Sequence, residues 1–160
     1  MRAFTERDFE TLSWHDDTVY GLRFRIGDPA RNDWTADLVL DIDHIVEWVR
    51  DGDRMRFRVA PATLVFHGIT DLRVHVDWGD SGHRVSHPAP SIGRIERAPV
   101  VDQKVFLDRP YWAWRIELNS PAGGEIRFGA VGFTQTLRRE PILCDEQQLG
   151  SARDELEVPS

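Results

Sequence analysis

The sequence predicts an all-β chain: a single antiparallel β-sandwich or barrel of about eight or nine strands with a short N-terminal helix. Three observations carry this prediction. Apolar and polar residues alternate with period two through most of the chain. Clusters such as "GDPARND", "RDGD", "GDSGH" and "NSPAGG" punctuate the alternation as turns. Helical patterning is confined to one brief segment. With 160 residues, 41 % of them apolar and 29 % charged, the chain suits one domain, and six Trp and eight Phe supply a core.

The elements follow in order. "TERDFETL" (5–12) predicts the helix, since Thr5 and Asp8 resemble a capping box and Phe9 and Leu12 can pack inward. "SWHDD" (13–17) reads as a loop ahead of a strand. In "VYGLRFRI", Tyr20, Leu22, Phe24 and Ile26 share one face and Arg23 and Arg25 the other. "LVLDIDHIVEW" (38–48) alternates in the same way, and Asp51-Gly52 predicts a two-residue hairpin turn. Counting back from it places Trp48 opposite Met55, Glu47 opposite Arg56 and Val46 opposite Phe57, with Arg58 diagonal to Glu47 and Asp43. "DLRVHVDW" (71–78) and "YWAWRIEL" (111–118) are further strands, with weaker ones at 62–67, 92–98 and 125–137. Gly129 and Gly132 predict a bulge or bend such as a sandwich or barrel corner needs. The β domain is bounded at 1–140. The acidic tail, 141–160, reads as a mobile end or a marginal helix.

Charge and motifs exclude several classes. The net charge is −7, and residues 140–160 hold six acids against one base, so the rest of the chain is near neutral. Phosphate binding needs a basic footprint, and none is predicted. No apolar run reaches membrane length and the opening residues lack a signal-peptide pattern, which predicts a cytoplasmic protein. The single cysteine, Cys144, excludes an intrachain disulfide. No G-x-S-x-G elbow, phosphate loop or dinucleotide fingerprint is present, so no catalytic residue and no cofactor are assigned.

Two clusters invite functional readings. On the predicted strand, His44 points away from Asp41, Asp43 and Glu47, which reads as a cross-strand charge ladder with arginine partners. A bulge would turn His44 toward Asp43 or Asp41 and make a metal site, and a hard-cation site built from Asp41, Asp43 and Glu47 alone would also need arginines absent from that face. Trp14, His15 and Asp16 are candidate binding residues, because Trp and His on a loop make good anchors. The plainer alternative has Asp16 or Asp17 accepting backbone N–H bonds while Trp14 packs on the sheet.

"WHDDTVYGLRFRI", the loop "GDPARND", "WTADLVLDIDH" and the later "TLVFHGITDLRVHVDW" resemble a group of small bacterial all-β proteins that open with an aromatic–His–Asp segment. Some of these are similar to immunity proteins, which neutralise toxins passed between competing bacteria. Trp14 stands where Phe or Tyr is more usual. The leading expectation is a non-enzymatic, cytoplasmic module that binds another protein; immunity-like neutralisation is the specific version that the resemblance implies, and it supplies no catalytic residues. Two alternatives accompany that expectation. One is a metal- or small-ligand-binding barrel, perhaps a hydrolase, in which His15, His44 or His75 converges with carboxylates. The other is self-association through sheet edges.

Overall fold

The computed structural model describes residues 2–154. They form ten strands of one antiparallel sheet that is not closed. The strands are β1 Ala3–Thr5, β2 Thr18–Ile26, β3 Ala36–Asp51, β4 Arg54–His67, β5 Thr70–His75, β6 Ser91–Pro99, β7 Trp112–Ser120, β8 Glu125–Ala130, β9 Gly132–Leu137 and β10 Ile142–Cys144. Their order is β1-β9-β4-β3-β2-β6-β7-β8-β5, with β10 added to β4 off this path. The all-β class therefore holds, and a closed barrel does not. The predicted N-terminal helix is a 3₁₀ helix over Glu6–Thr11, too short for an α-helix to recover its nucleation cost. Asp8 accepts the Thr5 N–H at 2.8 Å, and Phe9 and Leu12 do pack against the core.

One ladder bends the sheet over its own core. Thr63 lies opposite Thr136, and beyond the corner Thr70 lies opposite Gly129 at the same offset. Strands β4 and β5 are thus one bent strand, paired with a second made of β8 and β9. The bend falls between Gly129 and Gly132, where the glycines predict it, and each glycine also makes room for a neighbour. A Cβ on Gly129 would lie 2.6 Å from Thr70 Oγ1 and from the Tyr111 ring; one on Gly132 would lie 2.7 Å from the Glu6 carboxylate. Inside the bend Phe66 meets Trp114 and Phe128 edge-on, with ring centroids 5.0 and 4.7 Å apart, a favoured aromatic geometry.

The β3–β4 hairpin corrects the predicted register. Gly52, with φ of 61°, is the first central residue of the turn and Asp53 the second, so Asp51 pairs with Arg54. Only glycine takes a positive φ there without strain, and it sets the turn one residue later than Asp51-Gly52 implies. Trp48 then faces Phe57 and Glu47 faces Arg58, with a bulge at Val46 before Ile45 meets Val59. Glu47 does not face Arg56. Arg58 bonds Glu47 at 3.0 Å, while Arg56 reaches Asp145 at 2.7 Å.

Residues 142–153 are packed on the sheet rather than loose. β10 pairs with β4, Leu149 buries against Ile45, Phe57 and Val59, and a short helix, α1, spans Ser151–Asp154. The remainder of the predicted acidic tail, 155–160, lies outside the described residues.

Candidate functional site

The segment 13–17 is built into the core from both ends. Trp14 is only 3 % exposed, and its indole N–H donates to Gln135 Oε1 at 2.6 Å. The expectation of an exposed Trp14 anchor is therefore corrected: its ring meets Phe9 and Phe133 inside the sheet. His15 stays exposed and stacks on Trp48, with ring centroids 6.1 Å apart. Asp16 has a positive φ and receives bonds from Asn119 and Gln147 at 2.5 and 2.9 Å, tying the loop to β7 and to the C-terminal segment.

Asp17 has no exposed surface. One oxygen lies 2.6 Å from His44 Nδ1 and the other accepts the Ile45 N–H at 2.9 Å. Burial pushes the Asp17 carboxyl up from its ordinary value, against the pull of His44 and the Ile45 N–H. His44 lines a cavity of about 400 Å³ with Phe4, Ser13, Glu47 and Trp48. Among the described residues its Nε2 has no hydrogen-bond partner. A carboxylate held against one ring nitrogen of a histidine is also the arrangement that orients the base of a catalytic triad. Ser13 Oγ, on the same cavity, accepts the His15 N–H at 3.4 Å, and among the described residues no hydroxyl or thiol bonds to His44.

The carboxylates of "DIDH" are held by arginines. Arg153 pairs with both Asp41 and Asp43 from above the sheet. Arg138 adds two bonds of 2.8 Å to Asp41 Oδ1. Tyr20 and the Leu149 N–H each donate to Asp43 Oδ2 at 2.8 Å. Tyr20 reaches this face because a bulge between Val19 and Gly21 separates it from Leu22, Phe24 and Ile26, correcting the single face predicted for those four. His44 turns toward Asp17 and never meets Asp41 or Asp43. The metal reading required arginine-free carboxylates, and the two guanidiniums remove its basis. Among the described residues no group of three or more His, Cys, Asp and Glu side chains is placed to hold a metal ion. His75 lies on β5, apart from both His15 and His44, so the three histidines do not converge.

The outer edge of β2 is largely open. Every residue but Tyr20 pairs with β3, yet on the other side the strand meets β6 only at Thr18–Ser91, followed by a Val19 N–H bond to Pro90. From Tyr20 to Ile26 that edge has no strand partner among the described residues. Leu22, Phe24 and Ile26 share the face that is apolar elsewhere in the sheet, but among the described residues nothing covers it here: Phe24 is 50 % and Ile26 69 % exposed. Trp34, in the connection to β3, is 75 % exposed. Arg25 is engaged by Asp37 at 2.6 Å, whereas Arg23 has no ion pair among the described residues.

No protein-family model, curated protein or solved structure matches this chain. The site must therefore be judged on its own geometry. Sequence reasoning missed the Asp17–His44 pair, although His44 on the apolar face of a strand signals that a buried polar partner is needed. It also missed Arg97, held between the Phe9 and Trp112 rings at 4.2 and 4.0 Å and paired with Glu6.

Proposed function

We propose that this protein is a non-enzymatic binding module that takes up an extended segment of another protein along the open edge of β2. The observation that carries the reading is the stretch Tyr20–Ile26, an unpartnered strand edge with a row of uncovered apolar side chains. Native sheets normally blunt or cover such edges. Adding a strand satisfies the backbone groups, and alternate side chains supply specificity. The partner strand would carry apolar residues at alternate positions and an acid placed to meet Arg23. A second copy fits less well. Antiparallel self-pairing about Phe24 would set Arg23 of one copy against Arg25 of the other, and like charges directly opposed are unfavourable. The underlying scaffold is read as a sandwich with one bent corner, a reading that the shared β4–β5 and β8–β9 ladder supports. Immunity-like neutralisation in the cytoplasm, with a toxin as partner, is the specific version that the sequence resemblance suggests.

The test uses a synthetic peptide alternating Asp with Val and Phe, titrated into the labelled full chain and followed by amide chemical shifts. Saturable shifts confined to residues 18–26 and their β3 partners, lost in Phe24→Asp, are expected. Shifts elsewhere, or an unchanged response in Phe24→Asp with the fold intact, would sink the reading.

A further inference from the structure

A second cavity, of about 650 Å³, lies on the outer face of β5, β7 and β8 beneath the connection between β6 and β7. Its volume falls in the range of small-molecule sites. The floor carries an unusual row. Arg115 on β7 is the register partner of Arg127 on β8, which is in turn the partner of Arg73 on β5. Three like charges directly opposed across adjacent strands destabilise a sheet unless something neutralises them. Glu125 serves two of them, at 2.8 Å from Arg115 and 2.9 Å from Arg127. Among the described residues Arg73 has no carboxylate partner, and neither does Lys104, the only lysine in the chain, which overhangs the same cavity. Asp71 and Asp102 also line it, and Arg115 is further paired with Glu117 at 3.3 Å and Glu96 at 3.7 Å, so the uncompensated charge of the cavity lies at Arg73 and Lys104.

The end of the cavity near Tyr111 is braced by contacts. The Tyr111 hydroxyl lies 2.7 Å from Thr70 Oγ1 and donates to the Gly68 carbonyl at 3.3 Å. Phe106 stacks on Tyr111 with centroids 5.8 Å apart, and Gln103 braces the overlying loop through the Phe106 and Arg109 carbonyls. Gly129 is what lets Tyr111 lie flat against the strand. Val100, Val105, Ala113 and the Tyr111 ring supply the apolar walls. A site with one cationic side and one apolar end selects for a ligand built the same way.

We propose that this cavity binds a small organic oxyanion, a carboxylate or phosphate monoester on an aromatic or aliphatic body. Arg73, Arg127 and Lys104 hold its charge, and Tyr111, Val100 and Val105 hold its body. Guanidinium groups pair with such oxyanions through two parallel hydrogen bonds. The site lies on a different face from the β2 edge and stands independently of it.

Phenyl phosphate and benzoate are titrated separately into the full chain, with amide shifts as the readout and inorganic phosphate as the comparison. The expected result is saturable binding of at least one aromatic anion at the amides of Lys104, Tyr111 and Gly129, about tenfold weaker in Arg73→Ala, the equivalent of about 1.4 kcal/mol. Which of the two binds more tightly identifies the oxyanion. Arg73 is exposed on an edge strand and Lys104 on a loop, so Lys104→Ala provides a second variant that leaves the sheet untouched. Three results would overturn the proposal: no saturable shift with either aromatic anion, inorganic phosphate binding as tightly as phenyl phosphate, or unaltered affinity in both variants.

Discussion

Asp17 shows how one side chain joins three parts of the chain. It closes the turn after Trp14, fixes the His44 ring and accepts the N–H of Ile45 beside the β3 bulge. All of this happens without solvent, where a polar group left unpaired is costly. Asp17→Ala leaves the Ile45 N–H and the His44 ring nitrogen without their partner and is expected to lower stability by about 2–4 kcal/mol, the cost of two buried polar groups left unsatisfied. Asp17→Asn retains an acceptor for Ile45 and is expected to cost less. Urea unfolding of both variants measures this. A loss under about 1 kcal/mol in Asp17→Ala would mean that the pair contributes little beyond an ordinary hydrogen bond.

At the scale of elements, the C-terminal segment depends on Arg153. Its guanidinium joins the Asp41 and Asp43 carboxylates, and it lies over the Tyr20 ring at 3.9 Å. Below it, β10 and Leu149 close a small second core. Arg153→Ala leaves the buried Asp43 charge with only Tyr20 and the Leu149 N–H, and a loss of about 3 kcal/mol is expected. Combining it with Asp43→Asn should recover part of that loss. A coupling of about 1–3 kcal/mol in the double-mutant cycle is the measure of the pair. Hydrogen exchange at residues 142–149 should quicken in Arg153→Ala while the β3–β4 hairpin stays protected. Exchange quickening equally throughout would show that the segment is not a separate unit.

For the whole molecule, the decisive feature is the corner that joins β4 to β5. Asp37 holds it from β3, accepting the Gly68 N–H at 2.9 Å and two bonds from Arg25, with His67 Nδ1 at 3.5 Å. Burial pushes the Asp37 carboxyl up, but the Gly68 N–H, Arg25 and His67 outweigh it and leave it below its ordinary value of 3.8. A carboxyl depressed by folding adds stability that is present above its unfolded pKa and lost as pH falls through the folded one. Asp37→Asn should therefore be less stable than the parent at about pH 7, with the gap narrowing toward about pH 3. Urea unfolding at the two pH values checks this, and an equal gap at both would refute the assignment.

The strands were legible because apolar and polar residues alternate along their faces, and period two records that division residue by residue. Leu38, Leu40 and Ile42, or Trp112, Trp114 and Ile116, carry it without reference to anything distant. The bend at Gly129 and Gly132 was legible for a similar local reason. The hairpin register was not, since a two-residue turn at Asp51-Gly52 and one at Gly52-Asp53 look alike in sequence and differ only in which residue takes positive φ. Bulges at Tyr20 and Val46 have no local signature either.

The sequence by itself determined the β class and the punctuation between strands, both of which depend on neighbouring residues. Only the tertiary structure decided that Trp14 is core, that Arg153 answers Asp41 and Asp43, and that Asp17 belongs to His44. It alone set Arg73, Arg127 and Arg115 side by side. These are contacts between residues separated by 12 to 121 positions. Alternation says which face a side chain takes, and it carries no information about which distant strand or segment will lie against that face.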